Sequence, residues 1–178
     1  MSAPVGPVIR PLTAHDAEIF RAVRLRSLRE DPAAFTNSYE EFSRQPIERV
    51  QARLSGGGPD DFTLGAFAAG ELVGTVGFYR ETALKLRHKG NLVMMYVAPE
   101  MRGRGIGRAL VEAALRRLRA LDDLEQVLLG VVVTQTAARR LYESLGFRVY
   151  GREPRAVKIA EEYLDEEFMV LELKRGDA

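Results

Sequence analysis

A run of alternating glycines and arginines follows an apolar segment that ends near a proline. The apolar segment covers residues 91–97 and is followed by Pro99. The glycines are Gly103, Gly105 and Gly107. An apolar-periodic helix is predicted to begin directly after them. The first N–H groups of a helix have no intrahelical acceptor, and the helix dipole adds partial positive charge there. Because glycine lets the backbone approach a ligand closely, the pattern predicts a phosphate site.

Three other interpretations of these glycines agree less well with the sequence. A Walker A loop needs a lysine followed by Ser or Thr, which is not found after the glycines. A Rossmann fingerprint would require a third glycine where Arg108 stands. Asp123, about 20 residues on, precedes the next apolar run instead of following it. A strand–helix turn that binds nothing is the third, and the interleaved arginines argue against it.

The remaining pattern, Arg102-x-x-Gly105-x-Gly107, resembles the signature of the GNAT superfamily of N-acetyltransferases. In that family the signature follows a strand ending in Val-x-Pro-x and precedes a long helix. Here Val97 and Pro99 stand in that place. A second block of the family, residues 138–147, follows in the expected order. The resemblance is firm over residues 91–150 and looser over the rest.

Hydropathy alone predicts a mixed α/β sheet in one domain over residues 1–178, with its core in residues 8–174. The resemblance adds a GNAT-like fold with about six or seven strands, a splayed central parallel pair and about four flanking helices. Strands are predicted at residues 8–10, 62–68, 72–79, 91–97, 127–133, 148–152, 157–159 and 165–174. Helices are predicted at residues 14–30, 46–54, 105–121 and 136–145, with a shorter helix or turn at residues 37–44.

Composition excludes several classes of function. The chain has 178 residues, a net charge of +1 and no cysteine, so we expect no nucleic-acid partner, disulfide or cysteine nucleophile. His15 and His88 do not have the spacing of metal ligands, and we expect no metal. No apolar run approaches the ~20 residues of a membrane span, and the N-terminus lacks a leader pattern. A cytoplasmic enzyme is expected, with no membrane partner and a homodimer left open.

The resemblance implies that acetyl-CoA is the co-substrate. Backbone N–H groups of the glycine loop would hold its pyrophosphate, arginines would add charge-assisted bonds, and the strand edge before the loop would pair with the pantetheine arm. Gln135 stands where many family members have Asn. The residues assigned to the cofactor are Met95, Tyr96, Val97, Arg102, Gly103, Arg104, Gly105, Ile106, Gly107, Arg108 and Gln135.

Acyl transfer to an amine needs a base, a stabilised thioester oxygen and an acid for the leaving thiolate. Tyr142 matches the family's acid, although a packing role beside Leu145 is the alternative. Backbone N–H groups near Met95 or Tyr96 would serve the oxygen. Substrate-site and base candidates are Glu40, Glu41, Asp165 and Glu166, with Glu167 as a further base. A solvated carboxylate and a water-relayed proton are the alternatives to each of them.

These observations predict an N-acetyltransferase that moves an acetyl group directly from acetyl-CoA to a primary amine of a small molecule. The acidic residues 161–167 would attract a cationic amine, or they form a polar hairpin turn and edge strand. Two alternatives stay open at this point. One is a protein N-terminal or lysine acetyltransferase, and the other is a non-catalytic sensor that binds acyl-CoA.

Overall fold

The computed structural model describes residues 6–56 and 58–173, which form one sheet with helices on both faces. Seven strands occur among these residues: β1 (Val8–Pro11), β2 (Asp61–Ala68), β3 (Glu71–Arg80), β4 (Lys89–Val97), β5 (Gln126–Val132), β6 (Arg148–Ile159) and β7 (Glu162–Glu172). The α-helices are α1 (Ala17–Glu30), α2 (Tyr39–Ser43), α3 (Ile47–Ser55), α4 (Ile106–Arg119) and α5 (Thr136–Ser144). Short 3₁₀ segments lie at Ala14–Asp16, Pro32–Ala34 and Pro99–Met101.

The strands lie in the order β1-β2-β3-β4-β5-β7-β6. Every neighbouring pair is antiparallel except β4 and β5, which are parallel and are joined through α4. A parallel pair needs such a crossover connection, because a tight hairpin reverses the chain. The predicted mixed sheet is therefore confirmed, and so is its class of fold.

Apolar periodicity explains why helices cover both faces of the sheet. The residues that α4 buries lie on one face of the helix, where neighbours recur three or four residues apart: Ile106, Leu110, Val111, Ala113, Ala114, Leu115 and Leu118. They belong to a core that includes Val76 of β3 and Val127 of β5. A second core lies on the other face, where Phe20 of α1 packs with Val50 of α3. No helix in the described ranges has the length and hydropathy needed to cross a bilayer.

Strands β4 and β5 pair only at their beginnings. Residues 89–91 are in register with residues 126–128, and the ladder ends there. Beyond this point the two strands diverge, which confirms the predicted splay. The backbone groups that the rest of β4 turns toward β5 have no strand partner, so they must find other hydrogen-bond partners.

A β-bulge bends β4 a few residues after its ladder with β5 ends. Met94 and Met95 together stand opposite the single residue Val76 of β3. Met94 has a φ of 54°, and its carbonyl oxygen accepts a hydrogen bond of 3.0 Å from the Oγ1 of Thr75. Because a bulge increases the local twist and bends its strand, it directs the second half of β4 away from a regular ladder.

The boundaries predicted for the C-terminal strands are wrong. The predicted strands 148–152 and 157–159 form one strand, β6, which continues past Pro154 with a register shift between Glu153 and Val157. Since β6 is an edge strand, the missing N–H of a proline costs no bond with a neighbour. The final strand, β7, begins three residues before the predicted start. Its predicted last residue, Lys174, lies outside the described residues.

Gly90 lies in the paired part of β4, where the surrounding atoms leave no room for a side chain. A Cβ built there would overlap the ring of Phe78 and lie 2.7 Å from the carbonyl oxygen of Tyr79. We expect Gly90→Ala to lower the free energy of unfolding by about 1–3 kcal/mol, as overpacking does. Urea denaturation measures this loss.

The matched control is Gly151→Ala in β6. A Cβ there lies 3.9 Å from the Cδ2 of Phe168, an ordinary contact. Its free energy of unfolding should stay within about 0.5 kcal/mol of the parent. Equal losses in the two variants would contradict a specific constraint at Gly90.

Candidate active site

A cleft of about 330 Å³ occupies the space where β4 and β5 diverge. Its walls are the second half of β4, the glycine loop, the end of β5, the start of α5 and the segment after α1. Of the residues predicted to contact a cofactor, those that line the cleft are Met95, Tyr96, Val97, Arg102, Gly103, Gly105, Ile106, Gly107 and Gln135. Arg104 and Arg108 lie outside the lining. The structure thus brings most of the predicted set together, while their roles in binding stay predictions.

The glycine loop is shaped to accept an anion. Gly103 and Gly105 have φ values of 75° and 77°, a region that glycine adopts without strain. A Cβ built on either would meet no atom within 4 Å, so the loop surface faces open space. The first helical bond of α4 runs from the N–H of Ala109 to the carbonyl of Gly105 at 3.0 Å. The N–H groups of residues 106–108 precede that bond and have no intrahelical acceptor.

The three arginines of the loop have different surroundings. Arg102 donates from its Nε to the carbonyl of Val97 at 2.9 Å and forms an ion pair with Asp31, directly after α1. Arg108 donates to the Oγ of Ser144 at 2.6 Å. Arg104 is exposed and makes no side-chain bond within the described ranges. Arg102 therefore fixes the loop in place, and Arg104 is the side chain of the three that is free to contact a ligand.

The end of α1 anchors the loop through a chain of ionic contacts that the sequence analysis missed. The hydroxyl of Tyr96 donates to Glu30 at 2.6 Å, and Glu30 also accepts from Arg26 at 2.8 Å. Arg26 in turn donates two bonds of 2.7 Å to Glu100, which precedes the loop. The Arg26 guanidinium lowers the pKa of Glu100 to about 2. The only sequence signal was the four-residue spacing of Arg26 and Glu30 on one helix.

Tyr142 lines the inner part of the cleft from α5. It is buried, and its ring contacts the edge of Phe147 with 5.8 Å between centroids. Burial raises the pKa of its hydroxyl above the ordinary value, so the group keeps its proton at neutral pH. No hydrogen bond joins that hydroxyl to the described part of the protein, which leaves it available to a molecule in the cleft.

None of the four carboxylates predicted for the substrate site is among the residues that line the cleft. Glu40 is exposed, and Glu41 accepts from the backbone N–H of Ser38 at 2.9 Å as part of the N-terminal cap of α2. Asp165 accepts from Arg152 at 2.7 Å. Their positions follow from local capping and hairpin contacts. A role for these three at the cleft has no support in the geometry.

Glu166 is the predicted carboxylate that does approach the cleft. Its side chain lies over Gly130, a cleft-lining residue of β5, and a Cβ built on Gly130 would overlap the carboxylate. Burial and the neighbouring charge of Glu153 raise the pKa of Glu166. A half-buried carboxylate with a raised pKa suits a proton acceptor near neutral pH. The adjacent Glu167 is instead paired with Arg139 at 2.7 Å.

Comparison with known proteins finds a family model that matches the chain and solved structures with a similar fold. Residues 24–147 match the model of the acetyltransferase (GNAT) family. The structure is similar to that of a GNAT superfamily phosphinothricin acetyltransferase from Sinorhizobium meliloti in complex with AcCoA, with a TM-score of 0.77 and 21% sequence identity. That similarity covers 95% of this chain and 89% of the other chain.

Two curated relatives are similar in sequence. A mycothiol acetyltransferase from Thermobispora bispora is 33% identical over 138 residues, which are 74% of this chain and 43% of the relative. An N-alpha-acetyltransferase 40 from Saccharomyces cerevisiae is 38% identical over 99 residues, 49% of this chain and 34% of the relative. The matched part of the chain thus spans less than half the length of either relative.

Proposed function

Because the chain belongs to the acetyltransferase (GNAT) family, we propose that it transfers an acetyl group from acetyl-CoA to a primary amine of a small molecule. The observation that carries this proposal is the cleft between β4 and β5, which is lined by the glycine loop and by the buried Tyr142. The half-buried carboxylate of Glu166 lies beside the lining residue Gly130. The rest of β4 offers unpaired backbone along the way.

In the proposed binding mode, two sets of unpaired backbone groups contact the cofactor: those at the start of α4 and those along the second half of β4. The N–H groups at the start of α4 hold the pyrophosphate, and Arg104 adds charge from the open side of the loop. The unpaired edge of β4 binds the amide groups of the pantetheine arm, as an added strand would. Gln135 lies at the start of α5, where its side-chain amide can reach the arm.

Glu166 is the base in this proposal. It takes one proton from the ammonium form of the acceptor, and the neutral amine then attacks the thioester carbon. A C–N bond forms, the carbonyl oxygen gains negative charge, and a backbone N–H at the β4 bulge, near Met95, stabilises it. The C–S bond then breaks to give the N-protonated amide and the CoA thiolate.

Tyr142 supplies the proton that the departing thiolate needs. A phenol with a raised pKa is a weak acid, but the same dry pocket also raises the pKa of the thiol. The transfer is therefore less unfavourable than it would be in water. Tyr142 recovers its proton from the nitrogen of the acceptor, which must lose a second proton to become a neutral amide. The products are the N-acetyl compound, free CoA and one proton released by Glu166.

A panel of primary amines with acetyl-CoA tests the proposed function. We expect CoA release above the hydrolysis background for at least one amine, detected with a thiol reagent, and a product heavier by one acetyl group in mass spectrometry. Calorimetry should show binding of CoA, and weaker or no binding of ATP and NAD. Binding of CoA without acetylation of any amine would favour a sensor over an enzyme.

Tyr142→Phe tests the acid. The ring contact with Phe147 remains and no protein hydrogen bond is lost, so the melting temperature and the affinity for acetyl-CoA should match the parent. The value of kcat should fall about 10²-fold, the low end for a positioned acid. A kcat within twofold of the parent would mean that Tyr142 only packs.

Glu166→Gln tests the base. We expect kcat/KM to fall by about 10²-fold or more and the acidic limb of the pH profile to disappear, because an amide cannot accept the proton. The informative partner variant is Glu153→Gln. It removes the negative charge that raises the pKa of Glu166, so the acidic limb should move to lower pH while activity persists. An unchanged limb in both variants would exclude Glu166.

A second candidate function, acetylation of protein N-termini, is favoured by the similarity to the yeast N-alpha-acetyltransferase 40. Peptides with free and blocked N-termini belong in the same panel. Preference for a peptide over every small amine would replace the small-molecule proposal with this one.

A further inference from the structure

Arg24 of α1 is a buried cation that has no acidic partner among residues 6–56 and 58–173. It is 6% exposed, and its Nη1 has no hydrogen-bond partner in the described part of the chain. Its guanidinium lies 4.2 Å from the ring centroid of Phe35, which covers one face of the group. Buried arginines are nearly always paired, since removing a charge from water is costly. Arg24 thus has an unfilled requirement for an acceptor.

The charges around Arg24 increase this requirement. Burial lowers the pKa of Arg24 to about 10, and the nearby positive charge of Arg53 of α3 adds to this effect. The group therefore remains protonated at neutral pH. Arg53 is exposed, and its charge also reaches Tyr79 of β3. Glu81, whose charge also reaches Tyr79, is hydrogen-bonded by the Nδ2 of Asn91 at 2.9 Å and is not among the groups that act on Arg24.

Arg24 lies behind the wall of the cleft and is not itself in the lining. It is linked to the cleft by Phe35, which it stacks against and which is in the lining. Helix α1 covers the sheet face that carries Tyr96, because the hydroxyl of Tyr96 bonds to Glu30. Thr75 of β3 stands opposite Tyr96, and Tyr79 lies four residues further along β3, so all three residues are on this face.

The same face continues across the split to the proposed base. Tyr79 stands opposite Asn91, Asn91 is in register with Leu128, and Val132, four residues further along β5, stands opposite Glu166. Residues paired in register, and residues an even number apart in one strand, share a face of the sheet. Glu166 therefore lies on the face of the sheet that α1, the helix of Arg24, covers.

We propose that the acceptor amine also carries a carboxylate, which passes Phe35 to bind Arg24 within reach of the charge of Arg53, while its amino group points to Glu166. This inference rests on the proposed function, because it names the class of acceptor for that reaction. The ligand would be matched in charge at both ends, ammonium toward carboxylate and carboxylate toward guanidinium. A simple polyamine would place a cation beside Arg24 instead.

Calorimetry on the CoA-loaded protein tests the ligand class without requiring turnover. The probes are glycine, β-alanine, γ-aminobutyrate, leucine and phenylalanine, each compared with its carboxamide. We expect at least one carboxylate to bind ten times more tightly than its amide. Equal affinity within every pair, or no binding of any carboxylate, would overturn the inference. A carboxylate that binds but releases no CoA from acetyl-CoA would instead count against the proposed function alone.

Arg24→Met shows whether this side chain makes the distinction. Methionine keeps an unbranched stem against Phe35 and removes the charge, so the preference for the acid over its amide should disappear. The melting temperature should be equal or higher, because an unpaired buried charge is lost. The control is Arg29→Met on the same helix, where the exposed guanidinium stacks 4.5 Å from the ring centroid of Tyr39. It should keep the preference. A less stable Arg24→Met that still prefers the acid would assign Arg24 a structural role only.

Discussion

The separation of two neighbouring parallel strands is the constraint on which the rest of this structure depends. Strands β4 and β5 share a ladder at residues 89–91 and 126–128 and then part. Opening a sheet at its centre leaves backbone groups without partners, which is unfavourable unless something else binds them. Thr75 holds the bulge at Met94, and α1 anchors the end of β4 through Glu30. The molecule thus maintains an opening that a regular sheet would close.

Ion pairs hold the glycine loop in place at the surface, and apolar contacts hold α4 in place in the core. The Arg26, Glu30 and Glu100 contacts lie at the surface, where single ion pairs contribute little, but here several charges share partners. Within the core, α4 packs a continuous apolar face against β2, β3 and β4. The glycine loop joins these two regions. Its position is therefore determined by contacts from α1, which is distant in sequence.

Local sequence was sufficient to predict the glycine loop and the main helices. Glycines at alternate positions before an amphipathic helix form a distinctive pattern, whereas Tyr142 was singled out by the resemblance of residues 138–147 to a second block of the family. The position of Glu166 was not accessible in this way, because it depends on the pairing of β7 with β5 and on the absence of a side chain at Gly130. Arg102 belongs to the loop pattern, but its bond to Asp31 joins residues far apart in the chain. Burial of Arg24 likewise requires α3, β3 and Phe35 to assemble around it.

The carboxylate of Glu166 fills the space that a side chain at position 130 would need, so substitutions at these two positions affect each other. Any side chain at position 130 would overlap the carboxylate of residue 166. The free-energy effects of substitutions at the two positions cannot then be independent, since residues that share a space couple in double-mutant cycles. Because the overlapping atoms are the end of a flexible side chain, a residue with a Cβ at 130 can be accommodated when Glu166 rotates away. The effect of such a substitution therefore falls on where the carboxylate of Glu166 is placed, more than on whether the sheet forms.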